Sequence, residues 1–213
     1  MRRFRFIRCA LAWFAVFVFA GWVHADENIE DKIDVYESDG RVIAVIEGSN
    51  SVSRKLRRNE AVFWQDARGY LGAFLTDARF LVISFTAASW QALPLRRDEA
   101  DTAAAFLSQR IALLVTAERA VGYDAASNRF IETPLPLREE LVTAEADNHI
   151  AVVVTSGRAY GLASGLPSFA EIRFRGRETV ETINVTSRKA AIRTSDRLLS
   201  FDATGGHWRE LRL

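Results

Sequence analysis

The chain has 213 residues, with 28 Lys+Arg against 27 Asp+Glu and a single cysteine, Cys9. Four of the arginines, Arg2, Arg3, Arg5 and Arg8, lie in the first 25 residues, so the remaining 188 carry 24 Lys+Arg against 27 Asp+Glu, a net charge of −3. That balance argues against non-specific nucleic-acid binding, and without a cysteine beyond residue 9 there is neither a disulfide framework nor a thiolate metal site.

Met1 to Ala25 has the three parts of an export signal: the basic start, an apolar core from Ala10 to Val23, and Val23-His24-Ala25 ahead of acidic Asp26. The chain is therefore expected to be exported, periplasmic or secreted, after cleavage near Ala25. The apolar core falls short of the roughly 20 residues that a membrane span needs. No later segment approaches that length, so no stable membrane insertion is expected once the signal is removed. Asp26 to Lys32 is acidic and polar, a short leader or a marginal strand. From Ile33 onward the apolar residues come in short runs separated by turn chemistry, the pattern of many short strands rather than helices.

A motif recurs along these runs. It reads Ser38-x-x-Arg41, Thr76-x-x-Arg79, Thr116-x-x-Arg119, Thr155-x-x-Arg158 and Thr194-x-x-Arg197, at a spacing of about 39 residues. In the last four copies the arginine is followed at one constant interval by Trp90, Phe130, Phe169 or Trp208, and at a second by Leu95, Leu135, Phe174 or Leu213. Within the last unit four strands are predicted: Thr182 to Thr186, Lys189 to Arg193, Arg197 to Asp202 and Trp208 to Leu213. The second strands are continuously apolar runs (Ile111 to Val115, Ile150 to Val154), as expected for strands covered on both faces. The third carries a small residue three places after the arginine (Ala44, Gly122, Gly161, Ser200, with Val82 the exception). A large one follows it (Val45, Ile83, Tyr123, Leu162, Phe201), an alternation that suits sheets pressed face to face.

Four antiparallel strands every 39 or 40 residues is the period and content of a β-propeller blade. Phe201-Asp202 to Trp208 and Tyr123-Asp124 to Phe130 resemble the ending of kelch-type repeats, and the whole of Ile33 to Leu213 resembles kelch-type and WD-type propellers. The resemblance implies an all-β, five-bladed β-propeller as one domain over 26–213, with blades near 26–58, 59–97, 98–137, 138–176 and 177–213. It is unspecific: the glycine pair that opens a kelch unit is missing, as are the Gly-His and Trp-Asp pairs of WD units. The first blade is short of an inner strand. Asp26 to Lys32 completes it, the blade has three strands, or a partner supplies the missing edge, since open edges invite pairing; a homodimer through that edge is one such arrangement. The repeats could also stack into an open array rather than a ring.

Two constellations stand out as candidate sites. Arg79, Arg119, Arg158 and Arg197 follow the turns between second and third strands, and Glu60, Glu99, Glu139 and Glu178 lie in the connections between blades, which a propeller places on the same face. They form either a structural ion-pair network repeated with the blade, or a ring of guanidinium groups that grips an anionic partner. The innermost strands differ from unit to unit, and there Trp64, Asp66, Arg68, Glu145, Asp147 and Asn184 line the expected central channel. Asp66, Glu145 and Asp147 are the carboxylates a glycoside hydrolase would need. Trp90, Phe130, Phe169 and Trp208 fit inter-blade core better than a lectin's stacking platforms. Asn184-Val185-Thr186 matches the glycosylation sequon, which matters only in a host that glycosylates. Neither a Gly-x-Ser-x-Gly elbow nor a phosphate-cradling loop occurs, and no cofactor or metal is expected. The expected function is a non-enzymatic binding or scaffold module for a protein, peptide or glycan; the alternative is a carbohydrate-active hydrolase.

Overall fold

The structure, a computed structural model, describes residues 30–212. The expected signal, 1–25, and residues 26–29 of the leader lie outside the described residues; Glu30, Asp31 and Lys32 are not in a strand. The described chain forms nineteen strands in five antiparallel sheets. The first sheet has three strands, β1 (Ile33–Ser38), β2 (Arg41–Ile46) and β3 (Val52–Lys55). The second has β4 (Val62–Arg68), β5 (Leu71–Thr76), β6 (Arg79–Ser84) and β7 (Trp90–Pro94). The third has β8 (Ala104–Leu107), β9 (Ile111–Val115), β10 (Arg119–Asp124) and β11 (Arg129–Pro134). The fourth has β12 (Leu141–Asp147), β13 (Ile150–Thr155), β14 (Arg158–Ala163) and β15 (Ala170–Arg173). The fifth has β16 (Val180–Thr186), β17 (Lys189–Thr194), β18 (Arg197–Asp202) and β19 (Trp208–Arg212). Each is an up-and-down meander in chain order, and together they make a five-bladed β-propeller whose first blade begins at its second strand.

The turns between second and third strands show why Thr-x-x-Arg recurs. Thr76 Oγ1 accepts the amides of Ala78 and Arg79 at 3.2 and 2.9 Å and donates to Arg79 O at 3.0 Å. Thr116, Thr155 and Thr194 likewise accept the amide of their own Arg and donate to its carbonyl. The side chain closes the turn, so no central residue needs positive φ. The first blade solves the same turn differently: Asp39 and Gly40 sit at φ 52 and 67, the type I′ geometry that Asp-Gly favours.

Core lies between blades. Four hydrophobic clusters join consecutive sheets, first to second, second to third, third to fourth and fourth to fifth; among the described residues none joins the fifth to the first. The burial patterns agree. β5, β6, β9, β10 and β13 are buried along their whole length, whereas β2 and β17 alternate between exposed and buried positions. The expectation of two covered faces thus holds for the three inner blades, and each terminal blade keeps one face open.

The seams are keyed by the small-large alternation. A Cβ added to Gly161 would lie 2.7 Å from the ring of Phe201 in the next blade, and one on Gly122 would run into Leu162. Ala44 shares a cluster with Ile83, and Val82 shares one with Tyr123. The backbone adds stitches: Lys32 N–H donates to Gly69 O (2.8 Å), Tyr70 N–H to Gln109 O (3.0 Å) and His149 N–H to Ser187 O (3.0 Å). At the ends of the third strands, Ser84 Oγ bonds Asn128 Oδ1 of the following blade, and Asp124 accepts from Ser164 Oγ (2.6 Å) and Gly165 N–H (3.1 Å). Burial pushes the Asp124 carboxyl up, but these donors, with Ser127 and the amide of Ala126, hold it below the usual aspartate range.

Candidate functional site

Three arginines of the repeat face inward, Arg158 is partly open, and Arg41 is exposed, donating to Ser53 Oγ of its own blade. Arg79, Arg119 and Arg197 are almost completely buried, and each guanidinium grips the glutamate of its own blade with Nε and Nη2: Arg79 on Glu60 at 2.8 and 2.7 Å, Arg119 on Glu99 at 2.7 and 2.7 Å, Arg197 on Glu178 at 2.8 and 2.9 Å. The same Nη2 atoms reach back to the preceding blade, to Lys55 O, Pro94 O and Arg173 O respectively. Arg158 is more open and pairs with Glu139 and Glu171 at 2.8 and 2.9 Å. The glutamates are saturated as well. Glu178 takes the Arg175 amide in addition to Arg197, and shares with Arg197 O the one hydrogen of the Thr194 hydroxyl. Burial pushes its carboxyl up, yet Arg197, Thr194 and the Arg175 amide together hold it at about 2. Glu60 is held at about 2 by the equivalent set, Arg79, the Arg57 amide and Thr76, against the same desolvation.

Of the two roles open to this ring, the geometry is that of the structural network. Arg79, Arg119 and Arg197 are not presented to a partner, because their forks are filled from within and almost none of their surface meets solvent. The aromatic series is structural too: Trp90 Nε1 donates to Val52 O at 3.1 Å and Trp208 Nε1 to Ala170 O at 3.0 Å, each across a seam, while Phe130 and Phe169 pack against inter-blade clusters.

The innermost strands β4, β8, β12 and β16 build a different kind of place. Trp64, Asp66, Ala105, Phe106, Leu107, Ala144, Glu145, Ala146, Asp147 and Val185 line one cleft of about 450 Å3. Of the expected site residues it brings together Trp64, Asp66, Glu145 and Asp147; Arg68 and Asn184 are exposed and lie outside its lining. Asn184 stands opposite Ala191, on the open face of the fifth blade. Glu145 is exposed and Asp66 and Asp147 are half-buried. Asp66 accepts the amide of Ala67 at 2.9 Å. What the cleft offers chemically is two aromatic side chains and three carboxylates in one lining. Phe106, at the position of β8 that matches Asp66 and Glu145 in the repeat, belongs to it equally.

A second feature escaped the sequence. Leu137 is 82% exposed, Leu141 48% and Val142 51%, and Leu137 and Leu141 flank a smaller cleft of about 290 Å3 between the third and fourth blades. Val142 is exposed by a β-bulge: the register of β12 with β13 shifts between Leu141 and Thr143, as that of β4 with β5 does around Phe63. An apolar run next to a turn reads as buried strand until the bulge is seen.

No protein-family model and no curated protein sequence matches the chain. Solved structures similar to it include Hsv2p of Kluyveromyces lactis, with 10% identity over 87% of this chain and 61% of that one and a TM-score of 0.42. PorZ of Porphyromonas gingivalis, a bacterial surface component of the type-IX secretion system, has 12% identity over 87% of this chain and 27% of that one, with a TM-score of 0.41. Prp20p of Saccharomyces cerevisiae has 9% identity over 80% and 57%, with a TM-score of 0.40. The chain spans a little over half the length of Prp20p and of the N-terminal domain of Nup159. At TM-scores this low, the β-propeller assignment rests on the chain's own five sheets and the seams between them.

Proposed function

We propose that this protein is an exported, non-enzymatic binding module that takes a basic segment of a protein or peptide into its central cleft. The observation that carries it is the lining of that cleft, where Trp64 and Phe106 share a surface with Asp66, Glu145 and Asp147. Aromatic faces attract Lys and Arg side chains through the ring quadrupole, and carboxylates in the same lining add charge-assisted hydrogen bonds. A glycan would find one of these elements, the aromatic side chains, and little use for three anionic groups. Export is supported by the composition of Met1 to Ala25.

Trp64 provides the readout. Titrating the protein with a short Lys/Arg-rich peptide should quench its fluorescence saturably, and Asp66→Asn with Glu145→Gln should weaken binding at least about tenfold. Trp64→Phe should remove the signal while leaving calorimetric binding detectable. Saturable binding of neutral oligosaccharides in place of the peptide, or peptide binding indifferent to both carboxylates, would sink this assignment. Intact mass of the same protein, recovered from the exported compartment, should correspond to a chain starting at Asp26.

A further inference from the structure

The open faces of the first and fifth blades are complementary to each other. Three of the four seams follow one rule, in which the small residue of a third strand receives the large residue of the next blade's third strand, and in the remaining one Val82 packs in a cluster with Tyr123. At the two ends the rule is left unfinished. Among the described residues no blade packs over Ser200 from beyond the fifth sheet, and none receives Val45, which is 40% exposed. The backbone stitch is unfinished in the same way: Arg188 stands where Lys32, Tyr70 and His149 stand, and Asp31 stands where Gly69 accepts.

The charges support the match. Position by position, Lys189 replaces the buried Leu71, Ile111 and Ile150 of the inner blades, and Asp34 replaces Gly72, Ala112 and Ala151. In the first seam a Cβ on Gly72 would touch Ile33 and Val35, the residues equivalent to Lys189 and Ala191. Built to the same geometry, a seam between fifth and first blades sets Asp34 over Lys189. Asp34 and Lys189 thus fall on facing positions with opposite charge, which is what electrostatic complementarity requires, while Arg193, in the place of the buried Leu75, Val115 and Val154, is paired within its own blade with Glu181 at 3.0 Å. Asp202, in the place from which Asp124 reaches the next blade, is 3.7 Å from Lys189. It lines a cleft of about 490 Å3 with Thr186, Ser187, Arg188 and Lys189 of its own blade and Asp147 of the fourth.

We infer that the chain assembles head to tail, the outer face of the fifth blade of one copy docking on the outer face of the first blade of a second copy. The contact continues the inter-blade seam across two molecules and is heterologous, so copies close into a ring or extend as an array according to the rotation between them.

Sedimentation velocity on the purified full-length protein, from about 1 to about 100 μM, tests this. The expected result is a concentration-dependent oligomer. Lys189→Asp and Val45→Glu should each weaken association at least about tenfold, and the swapped pair Asp34→Lys with Lys189→Asp should restore it. All three substitutions are at exposed positions, and far-UV circular dichroism checks that each variant is folded. A monomer throughout the range overturns the inference, whether the two ends stay apart or meet within one chain. So does an oligomer indifferent to both single substitutions, which would place the contact elsewhere, for instance on the free edge of β1.

Discussion

Thr-x-x-Arg and its glutamate form one unit, in which a hydroxyl closes the turn, a guanidinium fills the carboxylate and a backbone amide completes it. Removing one partner of such a pair leaves a buried charge without compensation, a loss of about 3 to 5 kcal/mol. Glu178→Gln should therefore cost about 3 kcal/mol in urea unfolding, and Glu139→Gln distinctly less, because Arg158 and Glu139 are 19% and 15% exposed against 3% and 0% for Arg197 and Glu178. Equal costs would mean that burial does not set the strength of the clamp. The sign with pH follows from the glutamates. Their folded values, about 2 for Glu60 and Glu178, lie below the ordinary 4.5. The stability they contribute is complete above that ordinary value and is lost as pH falls from there towards 2. Glu178→Gln should flatten the acid-induced loss, and an unchanged acid slope would contradict the assignment.

At the scale of the strand, packing depends on where side chains are missing. Gly161 is covered by the ring of Phe201, itself fully buried, so Gly161→Val should cost about 1 to 3 kcal/mol by overpacking. Gly176, with nothing within 4 Å of an added Cβ, is the control; Gly176→Ala should stay within about 0.5 kcal/mol. Loss of the difference between these two variants in thermal unfolding would mean that the seam yields. These glycines also show how much of the fold was legible. Gly122 and Gly161 marked the seam in advance because a repeated small residue followed by a large one has few uses other than interlocking sheets. Legibility stopped where the cause was not local. The bulges that expose Phe63 and Val142 leave no mark in composition, and neither does the direction in which Arg79 points, since guanidinium rings facing solvent and facing glutamate have one and the same sequence. Phe201 and Trp208 prove to be register partners with rings 5.3 Å apart. Any antiparallel pair can make that contact, so it marks a blade without naming a family. For the candidate site, the strands that line it and its three carboxylates were accessible from disagreement among the units, whereas the exclusion of Asn184 depended on which face of β16 it occupies.

Across the whole molecule, burial is graded. Inner blades are covered on both faces and terminal ones on a single face, so local opening should be easiest at the two ends. Hydrogen exchange on a dilute sample should show slow amides in β9, β10, β13 and β14 and faster ones in β1, β2, β17 and β18. Uniform protection across the five sheets at that dilution would mean that the terminal faces are covered within one chain. The clamps also have a direction. Arg79, Arg119 and Arg197 each hold a carbonyl at the end of the preceding blade's last strand, whereas the first hairpin closes through Asp39-Gly40 and its Arg41 turns to Ser53 of the same blade. A chain built this way has a direction: each of these guanidinium groups ties two blades at once, so replacing one of them should loosen the last strand of the blade before it as well as its own turn.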